Sequence, residues 1–317
     1  MSDQVYKIIT DRIVAMLEAG TIPWRKPWAV SVDSEGRRCI ALPKNLKSGK
    51  EYRGTNCFLL GAAPFSSPYW LTFKQCQEMG GSVVKGSKGT PVIFWKISDY
   101  AREDKDTGEI KPGKSFLLRY YTVFNVEQCE GLKLPTAPAP IEAPATPVEP
   151  IPEFQPIEAC AAMVAAMPKA PEIKHRGDAA YYSPAFDFVS MPKPEAFNSP
   201  AEYYSTLFHE LTHSTGHGSR VGRKFGDRFG DHGYSQEELV AEMGASFLCA
   251  IAGIESATLD NSAAYIANWL KALKNDPRML VHAGAQAQKA ADFILGHVKA
   301  PEVTEEAQEA PEMATAH

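Results

Sequence analysis

Residues 135–156 restrict most strongly what this chain can become. Eight of these 22 residues are proline, set among Ala, Glu and Thr. Proline fixes φ and withholds a backbone N–H, so such a run neither continues a helix nor enters a sheet interior. It reads as a stiff, extended linker. The chain's 317 residues are enough for two domains. The expectation is a body over 1–134, a linker over 135–156, a second body over 157–298 and a disordered acidic tail over 299–317. The two bodies differ in charge. Residues 1–134 carry 20 Lys/Arg against 14 Asp/Glu, and the remainder carries 13 against 24. A basic half and an acidic half point to different partners.

Apolar residues make up 44% of the chain and charged residues 22%, the balance of a soluble globular protein. No apolar run is long enough to span a bilayer. The N-terminus has acids early and lacks a signal-peptide pattern, so the expected location is the cytoplasm, with no membrane partner. The six cysteines form no C-x-x-C pair and are expected as free thiols.

In the first body, Val5, Ile8, Ile9, Ile13, Met16 and Leu17 recur at helical spacing and predict a helix over 3–19, ended by Gly20. A short helix is expected over 56–60. Strands are expected over 69–73, 92–97 and 116–124, the last two joined as a hairpin through Asp106-Thr107-Gly108. This half is α+β. In the second body a short helix over 157–167 and short strands near 172–175, 180–182 and 187–192 precede four helices. That half is mainly helical with a small sheet.

The first of those helices holds His209-Glu210-x-x-His213. Ser199 suits its N-cap, Pro200 its first position, Glu202 a capping box and Gly216 its stop. Positions i and i+4 share one helical face, so both imidazoles can reach one metal ion. Glu210 is then placed as general base, the pattern of metal-dependent peptidases. A third ligand is needed. The extended motif H-E-x-x-H-x-x-G-x-x-H fails, because its last position is Ser219. His217 is a weaker candidate beyond the glycine. The next helix offers Glu238-Leu239-Val240-Ala241-Glu242. Either Glu238 is the ligand with Glu242 bracing an imidazole, or Glu238 serves a capping box with Ser235 and Glu242 is the ligand. Tyr234 or His232 can supply a donor to a tetrahedral oxyanion. The strand from Asp187 to Met191 can pair with an extended peptide. A His-rich site does not match the carboxylate-rich centres of two-metal nucleases.

Between residues 20 and 60 stand eight Lys/Arg and three acids, interleaved with Trp24, Trp28, Tyr52 and Phe58. Cations that track phosphates and aromatic faces that stack on bases are the means of holding single-stranded nucleic acid. The same tryptophans could instead anchor the segment to a core.

Three motifs of the first half complete the pattern: Ile22-Pro23-Trp24-Arg25-Lys26-Pro27-Trp28, Asn45-x-x-Ser48-Gly49-x-x-Tyr52-Arg53-Gly54-x-Asn56, and Tyr69-Trp70-Leu71-Thr72-Phe73. With His209 to His217 and Glu238 to Glu242, they resemble the ArdC-type antirestriction proteins of conjugative plasmids. The first half is also similar to the corresponding region of plasmid-encoded primases. The resemblance implies an N-terminal single-stranded DNA-binding domain and a C-terminal zincin-like metallopeptidase domain holding one divalent ion, expected to be Zn2+. It implies protection of incoming plasmid DNA from host restriction, with single-stranded DNA as partner and a restriction enzyme or another protein as substrate. A monomer is expected. The DNA-binding residues it implies are Trp24, Arg25, Lys26, Trp28, Lys44, Asn45, Lys47, Lys50, Tyr52, Arg53 and Asn56. Those of the peptidase site are His209, Glu210, His213, Tyr234, Glu238 and Glu242.

Overall fold

The computed structural model describes residues 2–24, 30–32, 38–40, 42–103, 110–134, 157–223, 232–254 and 263–297. The proline-rich segment and the acidic tail lie outside the described residues, as do Arg25, Lys26 and Trp28. The architecture has two domains of mixed helix and sheet, with a helical C-terminal region and small sheets. No helix among the described residues is long and apolar enough to cross a membrane.

The chain opens with α1 (Ser2–Glu18), whose apolar stripe buries Val5, Ile9, Ile13 and Leu17. Strands β1 (Val30–Val32) and β2 (Arg38–Ile40) pair antiparallel. Next come β3 (Lys44–Asn45), α2 (Thr55–Gly61), β4 (Tyr69–Thr72) and α3 (Phe73–Glu78). Helix α3 starts on a reciprocal cap: the Thr72 hydroxyl accepts the Gln75 N–H and the Gln75 side chain accepts the Thr72 N–H. Strand β5 (Ser82–Val83) precedes the two long strands β6 (Thr90–Glu103) and β7 (Ile110–Asn125), and β8 (Cys129–Glu130) pairs back with β5. The main sheet runs β3-β4-β7-β6.

The second half begins with α4 (Glu158–Ala166), followed by β9 (Glu172–His175), β10 (Tyr181–Ser183) and β11 (Phe188–Met191). Helices α5 (Pro200–Ser214), α6 (His232–Ala252), α7 (Ala263–Asn275) and α8 (Met279–Ile294) complete it. The small sheet runs β10-β11-β9. Its order corrects one expectation. β11 is the central strand, antiparallel to β10 and parallel to β9, and all four of its residues are buried. Both of its hydrogen-bonding edges are taken, so it cannot pair with a peptide. The edge strand that packs on α5 is β10.

The two halves share one core. Ile9, Ile13, Trp24 and Phe58 belong to the same buried cluster as Met243, Phe247, Trp269 and Leu280. Trp24 meets Trp269 edge-on at 5.8 Å, and Phe58 meets Phe247 at 4.8 Å. Polar contacts follow the same seam. The Thr10 hydroxyl donates to the Pro277 carbonyl at 2.7 Å, and the Gly54 N–H donates to Gln288 Oε1 at 3.0 Å. Gly284 makes the approach possible, because a Cβ there would stand 2.4 Å from Thr55 Oγ1 and 2.8 Å from Thr55 N.

Candidate metal centre

The centre forms where α5 crosses α6. Ser199 caps α5 by accepting the Glu202 N–H at 3.2 Å. The Glu202 carboxylate turns back to Asn198, accepting its N–H at 2.8 Å. The crossing is close because Gly244 faces Thr212; a Cβ on Gly244 would lie 2.5 Å from Thr212 Cγ2. That proximity brings the histidine face of α5 against the acidic first turns of α6.

Helix α6 starts at His232, a turn earlier than the capping pattern suggests. Ser235 therefore lies inside the helix, the capping role for Glu238 does not arise, and its carboxylate is available to the site. His209 Nε2 and His213 Nε2 lie 3.1 Å apart. Glu238 reaches both, with oxygens 3.6 Å from His209 Nε2 and 3.5 Å from His213 Nε2. Among the described residues, these three form the group whose donor atoms all lie within 4.8 Å of one another. Three ligands held at ~2.0–2.1 Å by one tetrahedral ion stand roughly 3.3–3.4 Å apart. The observed separations bracket that value, so the donor set fits a single ion of zinc size.

The ring of His213 is fixed from behind. Its Nδ1 lies 3.3 Å from Glu237 Oε1. An ionised carboxylate only accepts, so Nδ1 carries the hydrogen and Nε2 presents its lone pair to the site. Arg223 holds Glu237 in turn, donating from Nε at 2.9 Å and from Nη2 at 2.6 Å. The same guanidinium donates to the Thr212 carbonyl at 2.8 Å. Burial opposes ionisation of Glu237, but Arg223 and His213 outweigh it and hold its pKa below the usual carboxylate range. Sequence reasoning missed both residues. The signal was the doublet Glu237-Glu238: helical neighbours diverge by about 100°, so one carboxylate can meet Nδ1 of His213 while the other meets Nε2. Arg223 carries no such local signal.

His209 is buried. Burial disfavours its charged form, but Glu238, Glu210 and Glu242 together raise its pKa to about 9. Glu242 thus acts on the site through charge and lies outside the three-donor group. Glu210 is also buried, at 8% exposure. Tyr234 falls in the first turn of α6, and its side chain, like that of His232, lies outside the described residues. His217 is not among the three donors. Its Nδ1 lies 2.8 Å from the Ser219 hydroxyl. Nearby, Arg220 pairs with Asp187, which also accepts the Tyr182 hydroxyl at 2.8 Å, tying the β10–β11 turn to the end of α5.

Residues 159–286 match the family described as zincin-like metallopeptidase, and residues 3–124 match the N-terminal domain of anti-restriction factor ArdC. The metal-free crystal structure of antirestriction ArdC protein from plasmid R388 is 39% identical. It covers 92% of this chain and 97% of its own, with a TM-score of 0.67. The chain belongs to the ArdC antirestriction family. The Mn(II)-bound form of the R388 ArdC protein matches with 37% identity over the same shares, at a TM-score of 0.68. Protein y4eC of Sinorhizobium fredii (strain NBRC 101917 / NGR234) is 33% identical over 92% of this chain and 91% of its own. A DNA primase TraC of Escherichia coli is 33% identical over 92% of this chain, which spans only 20% of that primase.

Within this ArdC-type chain the expected DNA-binding residues disperse. Trp24 is fully buried against Trp269, so its ring cannot stack on a base. Tyr52 and Asn45 are buried as well, at 8% and 7% exposure. Asn45 Oδ1 accepts the N–H groups of Lys47 and Ser48 and so shapes a turn. Asn56 clamps Ile93 of β6, accepting its N–H and donating to its carbonyl, each at 2.8 Å. Arg53 pairs with Asp292 of α8. Lys47 pairs with Glu78 at 2.8 Å. Lys50 is exposed, and Lys44 lies over the ring of Tyr69. The motif from Asn45 to Asn56 thus shapes a turn and joins the two halves, rather than presenting one cationic and aromatic face.

Proposed function

We propose that this ArdC-family protein hydrolyses a peptide bond in a protein substrate, holds single-stranded DNA with its N-terminal half, and so protects incoming plasmid DNA from restriction during conjugation. The observation that carries the hydrolytic reading is the convergence of His209 Nε2, His213 Nε2 and a Glu238 oxygen beside the buried Glu210. His209, His213 and Glu238 would hold the ion, and a His/His/Glu set suits Zn2+. When bound, the ion would supply Lewis acidity and a water of lowered pKa. Glu210 takes the proton from the attacking water and returns it to the leaving amine. Glu237 and Arg223 keep His213 oriented. Tyr234 donates to the developing oxyanion from the start of α6. An extended substrate adds to the outer edge of β10, the edge strand that packs on α5.

The test is antirestriction in recipient cells that carry the wild-type protein or Glu210→Ala. Loss of protection, with the metal content of the purified variant unchanged, supports hydrolysis. Full protection by the variant assigns the function to binding alone.

A further inference from the structure

The longest strands of the molecule extend far past their neighbours. Strand β4 pairs only with Val123–Asn125 of β7. Strand β6 stays paired with β7 from Thr90↔Val123 to Glu103↔Ile110. Beyond that pairing the two strands continue as a two-stranded antiparallel ribbon. Cross-strand partners share a face, and alternate residues along a strand do too. The pairs Ile93↔Tyr120, Trp95↔Leu118 and Ile97↔Phe116 therefore present one surface. On it, Trp95, Phe116 and Tyr120 are 38%, 59% and 40% exposed, around a buried Leu118. Trp95 is the diagonal neighbour of both other rings, which spaces the three in series at roughly 7–8 Å. The ring face meets the shared core through Leu118 and Ile93, and the opposite face through Val92 and Tyr121.

Among the described residues, these three large rings stay partly solvated beside a core residue, Leu118. The charges around them narrow what could cover them. On the ring face Lys114 stands across from Asp99, and Lys96 and Arg119 lie on the opposite face. The half that carries the ribbon has 20 Lys/Arg against 14 Asp/Glu. A polyanion with exposed flat faces matches both features. A duplex hides its base faces in the stack, whereas a single strand offers them.

We propose that this face of the β6–β7 ribbon is the base-stacking platform for single-stranded DNA, with Trp95 as its central ring between Tyr120 and Phe116. The proposal rests on the single-strand-binding reading above. It takes over the role that Trp24 and Tyr52 cannot fill. Lys114, exposed on the same face, tracks the phosphates.

The experiment titrates the full-length protein against a fluorescein-labelled oligo(dT) at fixed salt and reads anisotropy. The triple variant Trp95→Ala/Phe116→Ala/Tyr120→Ala is expected to bind roughly 100-fold or more weakly. Phe186→Ala removes a ring that is 80% exposed in the β10–β11 turn of the other half, and should leave affinity within about twofold. Lys114→Gln should flatten the dependence of log affinity on log salt by about 0.7. Trp95→Phe should keep most of the affinity while shrinking the quenching of tryptophan emission by unlabelled oligo(dT). That variant also serves if the triple variant fails to fold.

A triple variant that binds like wild type overturns the platform and leaves the single-strand reading standing. So does undiminished quenching in Trp95→Phe, or an equal loss in Phe186→Ala. If the triple variant loses self-association in gel filtration but keeps its affinity, the face belongs to a second copy of the chain, which also overturns the platform. Wild-type protein that fails to bind oligo(dT) overturns the reading on which the platform rests.

Discussion

The α5–α6 crossing and the segment from Ile22 to Asn56 both bury polar side chains, and they use them in opposite ways. At the crossing, His209, Glu210 and Glu237 are 8%, 8% and 6% exposed. Their partners are ionisable, and the donor atoms of His209, His213 and Glu238 point at one place. In the segment, Asn45 and Thr55 are just as buried, but they meet neutral partners, backbone groups and, for Asn45 Nδ2, the Gln75 side chain. Asn45 closes its own turn and Thr55 donates to the Leu280 carbonyl. Burial of polar groups marks a reactive site only when the groups converge and can carry charge. Where each is answered locally, burial is architecture.

The sharpest way to break this contrast is to remove one member of each region. His209→Ala or Glu238→Ala should weaken metal binding more than about 100-fold and abolish a one-ion stoichiometry in isothermal titration. Asn45→Ala should leave both unchanged. Equal losses would show that the metal site depends on the whole fold rather than on the crossing.

Trp24→Ala addresses the segment itself. Removing a fully buried tryptophan should lower stability by about 3–5 kcal/mol. Because Trp24 packs on Trp269 and the cluster spans both halves, denaturant unfolding followed by intrinsic fluorescence and by far-ultraviolet dichroism should give one coincident transition. A lowered N-terminal transition with an unmoved C-terminal one would mean that the halves are independent bodies.

The segment misled sequence reading for a physical reason. A tryptophan beside Arg and Lys looks the same whether its ring faces solvent or a partner helix, and the partner Trp269 lies 245 positions away. Local signals were sounder. The stripe Val5, Ile9, Ile13, Leu17 has the period of a helix and folds as α1. The His209–His213 spacing is a property of one helix, so the face they share could be read directly. What could not be read was anything set by packing between elements: the central position of β11, the seam at Gly284 and Thr55, and the reach of Arg223 to Glu237. Glu238 lies between these cases. Its helix was legible, but an assumed cap at Ser235 competed for its carboxylate until α6 proved to start at His232.

Glu237→Gln tests the part of the centre that packing alone supplies. The amide keeps the shape but removes the charge that orients His213 and binds Arg223. Metal affinity should fall about 10- to 100-fold, less than for loss of a ligand, without change in stoichiometry. An unchanged affinity would mean that Nδ1 of His213 does not depend on the carboxylate, and the crossing would lose one of the features that set it apart from the segment.

The smallest single step is graded by pH. Burial alone would lower the His209 pKa, yet the three surrounding carboxylates raise it to about 9. A metal ion takes the neutral imidazole. Below about pH 9 the ion-free protein therefore carries a proton that binding must expel. Apparent affinity should rise about tenfold for each pH unit in that window and level off above it. The same proton acts on the ion-free fold with the opposite sign. Because the folded pKa lies above the unfolded value of 6.5, its contribution to stability is full below about pH 6.5 and is lost as pH rises through about 9. Competition with a metal indicator at pH 7, 8 and 9 reads the first slope, and melting of the ion-free protein over the same range reads the second. Trp24→Phe should alter neither slope, since its ring meets only the core. If affinity is flat from pH 7 to 9, the carboxylates around His209 do not act on it as a group, and the electrostatic half of the contrast with the Ile22–Asn56 segment fails while its geometric half stands.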